Sequence, residues 1–133
     1  MTSDDILLIE TIDRVRTVTL NRPGSRNALS AALRKQFFAA LGDAEDDDGV
    51  DVVIVTAADP VFCAGLDLKE LGDTTQLPDI SPKWPAMSKP VIGAINGAAV
   101  GVGVTMTLPM DIRLATEHAK FGFVFARRGI VPE

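Results

Sequence analysis

Small residues cluster in two short stretches that could present backbone N–H groups to an oxygen atom. The first, Phe62–Leu68, reads FCAGLDL, and the second, Lys89–Pro109, carries glycine at Gly97, Gly101 and Gly103. Small residues at a strand-to-helix turn let a ligand approach the backbone closely. Unpaired N–H groups at such a turn suit an anion, or an oxygen that becomes one during a reaction. We therefore expect the two stretches to face each other across one site.

Few side chains could act as nucleophiles or metal ligands. Cys63 is the only cysteine, and no His or Lys near it in the sequence would lower its pKa, so we expect a structural thiol. His118, the only histidine, falls on a predicted turn and is expected at the surface. The acidic run Asp43–Asp51 lacks the glycine-centred spacing of a calcium loop. We expect this run to form a solvated turn and the protein to hold no metal.

Length and composition predict one domain, residues 1–133, with a real hydrophobic core. Hydrophobic residues make up 47% of the chain, which excludes a disordered tail. A net charge of -5 argues against a nucleic-acid binder. No apolar run reaches the ~20 residues that span a bilayer, and the N-terminus lacks the features of a signal peptide. Together with the single cysteine, these features predict a cytoplasmic protein that binds neither nucleic acid nor membrane.

The elements that must position the two stretches begin with a hairpin and a helix. Residues Ile6–Thr11 and Arg14–Leu20 are rich in β-formers and are separated by a turn, which predicts two paired strands. Ser30 is a good cap for a helix whose apolar positions recur at helical spacing. Those positions are Leu33, Phe37, Ala40, Leu41 and Ala44. The β-branched run in Asp51–Thr56 predicts a strand that is buried on both faces.

The second half of the chain predicts further strands. Within Lys89–Pro109 we expect a buried strand, a tight turn and a short buried helix. Met110–Thr116 should be another strand and Lys120–Phe123 a short extended segment. The polar, proline-interrupted segment Asp73–Trp84 predicts a long loop, in which Trp84 is a packing residue or a pocket wall. This alternation of strands and helices predicts an α/β fold with stacked parallel strands.

Three segments, taken together and in order, resemble the crotonase family of enoyl-CoA hydratases and isomerases. They are NRPGSRNALS at Asn21–Ser30, FCAGLDLKEL at Phe62–Leu71 and KPVIGAINGAAVGVG at Lys89–Gly103. The similarity extends from Leu7 to Glu133. It implies a crotonase-like ββα spiral, a lyase or isomerase activity, and an acyl-CoA thioester as substrate with no further cofactor. It also implies a homo-oligomer, a trimer or a hexamer.

The resemblance further implies roles for individual residues. The backbone N–H groups of Leu66 and Val102 would hold the thioester oxygen as it becomes an enolate, and a valine at this second position would narrow the pocket. Residues that would line the CoA path lie in or beside the motif loops. They are Arg26, Ala28, Ala64, Leu66, Asp67, Leu68, Lys69 and Val102. Without the resemblance, Arg26 could equally be an ordinary exposed arginine.

The chain departs from the family pattern at the usual catalytic carboxylates. The two positions that hold glutamate in many hydratases are Thr105 and Phe125 here. A two-carboxylate hydration mechanism is therefore not expected. Glu133 lies in a Pro-Glu pair similar to that of some family isomerases, and it is the candidate proton carrier. Family members usually continue further, so we expect the chain to be incomplete at its C-terminus and to form the N-terminal part of the fold.

The sequence is also compatible with other functions. The main alternative is a catalytically inactive acyl-CoA-binding or subunit-forming remnant of the same family. A dinucleotide-binding fingerprint starting at Gly101 and Gly103 would need glycine where Met106 stands, so the pattern is weak. A serine hydrolase is weaker still, because the sequence contains no G-x-S-x-G motif.

Overall fold

A five-stranded mixed sheet organises the chain, and the computed structural model describes residues 4–71 and 84–124. Within these residues the strands are β1 (Leu7–Ile12), β2 (Val15–Leu20), β3 (Val52–Ala57), β4 (Val91–Ile95), β5 (Ala99–Val100), β6 (Ile112–Ala115) and β7 (Phe121–Gly122). The α-helices are α1 (Ala31–Asp46), α2 (Leu68–Leu71) and α3 (Val102–Thr105), and a short 3₁₀ helix spans Pro23–Ser25. The main sheet has the order β1-β2-β3-β4-β6, and β5 pairs with β7 in a small second sheet. The predicted α/β class is confirmed.

The predicted hairpin is formed by β1 and β2, which pair antiparallel with Ile12 opposite Val15. The two residues between them, Asp13 and Arg14, have φ values of 48° and 70°. Positive φ at both central residues is the geometry that matches the twist of a two-residue hairpin. The tight turn therefore fixes the register of the sheet's first strand pair.

Three parallel pairings place the motif-bearing loops at one edge of the sheet. β2 pairs with β3, β3 with β4 and β4 with β6, all in parallel. The carboxyl ends of β2, β3 and β4 consequently lie at the same edge of the sheet. The segments that follow these strands begin at Asn21, Ala58 and Asn96, and they emerge side by side.

Helix α1 covers one face of the sheet as its apolar spacing predicts. The hydroxyl oxygen of Ser30 accepts a hydrogen bond from the N–H of Leu33 at 3.1 Å, which confirms the predicted cap. The five predicted apolar positions are all buried: Leu33, Phe37, Ala40, Leu41 and Ala44. Trp84 packs edge-on against Phe37 and Phe38, with ring centroids 5.9 and 6.1 Å apart. The prediction that Trp84 is a packing residue is thus confirmed.

The acidic run Asp43–Asp51 begins within the last turn of α1, so the predicted solvated turn is wrong for its first four residues, and Asp47 and Asp51 beyond the helix make structural contacts. The Asp47 carboxylate accepts a 2.8 Å hydrogen bond from the N–H of Gly49. This contact, together with Arg16, holds the pKa of Asp47 below its ordinary value. Asp51 forms an ion pair with Arg14 at 2.7 Å. Within residues 4–71 and 84–124, no group of three or more His, Cys, Asp or Glu side chains is placed to hold a metal ion.

The final turn of α1 is closed by residues far along the chain. The Lys89 ammonium donates to the carbonyl oxygens of Ala44 and Asp47, each at 2.6 Å. The N–H and the hydroxyl of Ser88 both donate to the Glu45 carboxylate, and this lowers the pKa of Glu45. A cation at a helix C-terminus satisfies the last carbonyl groups and opposes the helix dipole. The chain that enters β4 is therefore anchored to the end of α1.

One prediction about burial is wrong, and one predicted loop lies almost entirely outside the described residues. Val53 and Val55 of β3 are buried, but Ile54 and Thr56 are only half-buried, because α1 covers one face of the sheet. The predicted burial of β3 on both faces is thus wrong for one face. Of the predicted loop Asp73–Trp84, only Trp84 lies among the described residues. None of the described helices is long and apolar enough to cross a membrane.

Candidate active site

The two small-residue stretches cross each other in direct contact. The N–H of Val100 donates to the carbonyl of Cys63 at 2.9 Å, and the N–H groups of Phe62 and Cys63 both donate to Ala98. A methyl group added at Gly103 would lie 2.3 Å from the Cys63 carbonyl oxygen. Only a residue without a Cβ permits this approach. The structure thus brings together the two stretches that the sequence analysis singled out.

A third segment, residues 22–30, extends this arrangement on the other side. The N–H of Leu29 donates to the Gly65 carbonyl at 2.7 Å, and the N–H of Asp67 donates back to Leu29 at 3.2 Å. The N–H of Ala64 donates to Arg26 at 3.1 Å. The loops that follow β2, β3 and β4 are therefore tied to one another by backbone hydrogen bonds, which makes their relative position rigid.

Asn27 braces this third segment from below. Its side chain is fully buried, and its amide oxygen accepts a hydrogen bond from the N–H of Arg22 at 2.7 Å. Its amide nitrogen donates to the carbonyl oxygens of Ala58 and Val61 at 2.8 and 2.6 Å. Arg26 and Asn27 both have positive φ, a conformation that asparagine tolerates better than most residues. Sequence reasoning missed this role, although an asparagine inside a motif loop was the available signal.

A cleft of about 530 Å³ opens where the loops meet. Its lining residues are Gly24, Ser25, Arg26, Ala28, Ala64, Leu66, Asp67, Leu68, Lys69 and Val100. These include every predicted CoA-path residue except Val102. The Val102 side chain is 5% exposed and packs in the hydrophobic core. Val102 does not line this cleft, so narrowing of the pocket by this valine stays a prediction.

The backbone around Leu66 and Val102 is held in an unusual conformation. Gly65 has a φ of +95°, and a Cβ placed on it would lie 2.9 Å from the Val100 carbonyl oxygen and 3.6 Å from the Val102 nitrogen. Gly101 has a φ of 58°, and its N–H donates to Gly122 at 2.8 Å. Val102 then begins α3, where N–H groups have no partner within the helix. Among the described residues, neither the Leu66 nor the Val102 N–H donates to a protein acceptor.

The thiol of Cys63 is buried beneath the site. Burial disfavours the thiolate and raises the pKa of Cys63 to about 12. Its sulfur lies 3.5 Å from the N–H of Gly65, which donates a weak hydrogen bond to it. Because only the thiolate is a good nucleophile, these features support the structural role expected for this residue. His118 is 87% exposed beside Glu117, which confirms the expected surface position.

Of the residues discussed for proton transfer, only Thr105 lies among the described residues. Thr105 lies in α3 and is buried, with its hydroxyl 3.5 Å from the Val102 carbonyl. Phe125 and the predicted proton carrier Glu133 lie outside the described residues. The described part of the candidate site therefore comprises the Leu66 and Val102 N–H groups, which have no acceptor among the described residues, and the cleft.

Arg22 contacts two residues that line the cleft, and the sequence analysis did not single it out. Its guanidinium forms an ion pair with Asp67 at 3.1 Å and donates to the Ala28 carbonyl at 2.6 Å. Its two partners line the cleft from two separate segments of the chain, residues 24–28 and residues 64–69, which we call the first and the second wall. The partner in the second wall is 45 positions away in the sequence. No local pattern indicates a pairing over that separation.

The chain belongs to the enoyl-CoA hydratase/isomerase family, whose model matches residues 10–133. It is 41% identical over 130 residues to enoyl-CoA hydratase AFT3-1 of Alternaria alternata, and the aligned region covers 91% of this chain and 44% of that protein. It is 38% identical over 133 residues to 2,3-dehydroadipyl-CoA hydratase of Escherichia coli (strain K12), covering 95% of this chain and 52% of that one. The chain thus spans about half the length of these curated relatives.

Solved structures show the same relation. An enoyl-CoA hydratase from Mycobacterium tuberculosis H37Rv superposes with a TM-score of 0.89 at 67% identity, covering 96% of this chain and 56% of that chain. An enoyl-CoA hydratase from Mycobacterium smegmatis gives a TM-score of 0.89 at 64% identity, covering 97% and 55%. These similarities confirm the predicted crotonase-type fold for the part of it that this chain represents.

Proposed function

We propose that the protein processes acyl-CoA thioesters as an enzyme of the enoyl-CoA hydratase/isomerase type. In this proposal the N–H groups of Leu66 and Val102 form an oxyanion hole that stabilises the enolate of the thioester. The observation that carries the proposal is the pair of interlocked loops, because each loop offers one N–H group without an acceptor in the described structure. Fixed donors of this kind stabilise a developing oxyanion, and losing one costs ~3 kcal/mol.

The cleft offers a path for the rest of the substrate. Its volume of about 530 Å³ lies in the range of small-molecule sites. Arg26 and Lys69 place positive charge at the walls, where the phosphate groups of CoA would bind. Ala28, Ala64 and Leu68 supply apolar surface between them. The proposed substrate is thus an acyl-CoA thioester, and no further cofactor is needed for the proton transfer.

The proposed proton carrier is Glu133. Moving a proton next to a thioester requires a base within reach of the carbon atom. A threonine hydroxyl and a phenyl ring, at Thr105 and Phe125, cannot perform this role at neutral pH. The same two residues favour the second candidate, an acyl-CoA-binding member of the family without catalytic activity.

One experiment separates the two candidates. Hydration of crotonyl-CoA and isomerisation of a 3-enoyl-CoA are measured together with calorimetric binding of CoA. We expect turnover by the wild type and a loss of 10² or more for Glu133→Gln, about the lower end for general acid–base catalysis, with binding retained. The matched control is Glu117→Gln, whose carboxylate is 87% exposed beside His118. Binding without turnover would support the non-catalytic candidate, and absence of both would refute the proposal.

We also propose that the protein acts in the cytoplasm as a trimer or a hexamer. Large apolar side chains of β6 and of the segment around β7 are half or more exposed: Ile112, Leu114, Phe121 and Phe123. Exposed apolar surface of this kind usually meets a partner. Light scattering that gives only a monomer would contradict the oligomer.

A further inference from the structure

We propose that Arg22 is a positioning residue that joins the two walls of the cleft and neutralises Asp67, so that an anionic CoA thioester can bind between them. This inference rests on the proposed function. Arg22 does not line the cleft in the described structure, and it acts through the residues that do. It would tune the affinity for the substrate without touching the reacting atoms.

The contacts of the Arg22 guanidinium support this role. One terminal nitrogen donates to the Ala28 carbonyl at 2.6 Å, and the other donates to the Asp67 carboxylate at 3.1 Å. The side chains of Arg22 and Asp67 are only 20% and 12% exposed. A planar guanidinium with several fixed donors can hold two partners at once, which a lysine ammonium does less well. This one side chain thereby adds to the backbone hydrogen bonds that already join the two walls.

The main chain of Arg22 is fixed as firmly as its side chain. Its N–H donates to the Asn27 side chain at 2.7 Å, and its carbonyl accepts from the Asn27 N–H at 2.9 Å. Asn27 is fully buried and held by two further carbonyls. The guanidinium therefore projects from a fixed main chain, so its pairing requires the ordering of the side chain alone.

Asp67 is the point at which this anchoring reaches the proposed oxyanion donor. Its second carboxylate oxygen accepts from the Lys69 N–H at 3.1 Å, and its own N–H donates to Leu29 at 3.2 Å. It also directly follows Leu66 in the chain. Holding the Asp67 carboxylate thus helps to fix the peptide that carries the Leu66 N–H and the start of α2.

Charge gives Arg22 a second effect. The charged side chains that line the cleft are Arg26, Lys69 and Asp67. A largely buried carboxylate repels an anionic ligand unless a cation compensates it, and an unpaired buried charge is strongly unfavourable. Arg22 supplies that cation from behind the wall. Replacing both partners with neutral groups should therefore harm binding less than removing Arg22 alone.

The test is calorimetric binding of CoA to four proteins: the wild type, Arg22→Met, Asp67→Asn and the double variant. We expect Arg22→Met to bind about tenfold more weakly or worse, the size expected for one charged hydrogen bond. The double variant should recover most of the lost affinity. The control is Arg16→Met, which removes a comparable ion pair (2.8 Å to Asp47) at the start of β2, away from the cleft. It should bind within about twofold of the wild type.

The outcomes are distinct. If Arg22→Met binds like the wild type, or if the double variant binds no better than Arg22→Met, the inference is wrong. If the wild type binds no CoA, the proposed function fails, and hydrogen exchange then tests the anchoring without a ligand. The Lys69 amide should exchange faster in Arg22→Met than in Arg16→Met, and equal rates would overturn the inference. Should Arg22→Met not fold, Arg22→Lys keeps the charge and is expected to show an intermediate loss in both measurements.

Discussion

Replacing Gly103 with alanine should separate the two loops that form the site. The added Cβ would lie 2.3 Å from the Cys63 carbonyl oxygen and 3.0 Å from the Cys63 Cβ. Optimal contact is ~3.5 Å, so the loops must move apart by about 1 Å. Overpacking of this kind costs ~1–3 kcal/mol, and weakening the hydrogen bond from Val100 to Cys63 adds about 1 kcal/mol. We expect the free energy of unfolding to fall by about 2–4 kcal/mol.

Urea unfolding followed by circular dichroism measures this loss, and Gly42→Ala is the matched control. A Cβ at Gly42 meets nothing within 4 Å, and the residue lies inside α1. The same substitution should therefore stabilise the protein there by about 0.5–1 kcal/mol, because alanine favours the helix. Opposite signs for one chemical change would show that the cost at Gly103 comes from the contact with Cys63.

The same displacement should reduce catalysis beyond its effect on stability. A movement of about 1 Å in a site can cost ~100-fold in rate. Turnover of crotonyl-CoA by folded Gly103→Ala, measured well below its melting temperature, should fall by that order. If this variant unfolds at the wild-type urea concentration and turns over normally, the loops do not pack as the structure has them.

Three further predictions concern single residues. Cys63→Ala should leave acyl-CoA turnover within a few-fold, because burial raises the pKa of the thiol to about 12 and no thiolate is available; a complete loss would contradict this. The folded pKa of Glu45 is lowered by Ser88, so the contact stabilises the protein above the ordinary pKa of 4.5, and this stability is lost as the pH falls through the folded value. Glu45→Gln should therefore flatten the acid side of a stability profile measured by urea unfolding, and an unchanged slope would show that the contact is absent in solution. Val102→Pro deletes one proposed oxyanion donor at a helix position that accepts proline, so turnover should fall by ~10²–10³ while the circular dichroism spectrum persists. Wild-type turnover in this variant would remove Val102 from the mechanism.

Local features of the fold could be predicted from the sequence because their causes are local. The hairpin follows from two β-rich runs around a tight turn, and α1 follows from Ser30 and five apolar residues at helical spacing. The meeting of the loops was also predictable, because parallel strands share the edge at which they end. Seven of the residues named in advance line the cleft: Arg26, Ala28, Ala64, Leu66, Asp67, Leu68 and Lys69.

What could not be predicted depends on contacts between distant residues. The pairing of Arg22 with Asp67 and the bracing by Asn27 join segments that no periodicity connects. The burial of the Val102 side chain could not be predicted either, because a turn rich in small residues does not indicate which side chains point into the core. The burial of β3 was overestimated because an apolar run shows only which side chains a strand could bury. Whether both faces of the strand are covered depends on the elements that pack against them.

The proposed site differs from one built on side chains in how its sequence can vary. A backbone donor needs only an N–H group, so in this proposal the side chains of Leu66 and Val102 are free for other contacts, as the Val102 side chain is in the core. The residues without that freedom are the neighbouring glycines. Gly65 combines a positive φ with a backbone oxygen 2.9 Å from where its Cβ would be, and Gly103 has no clearance from Cys63. It follows that the glycines carry the constraint that shapes the site, and the donors themselves exclude little besides proline.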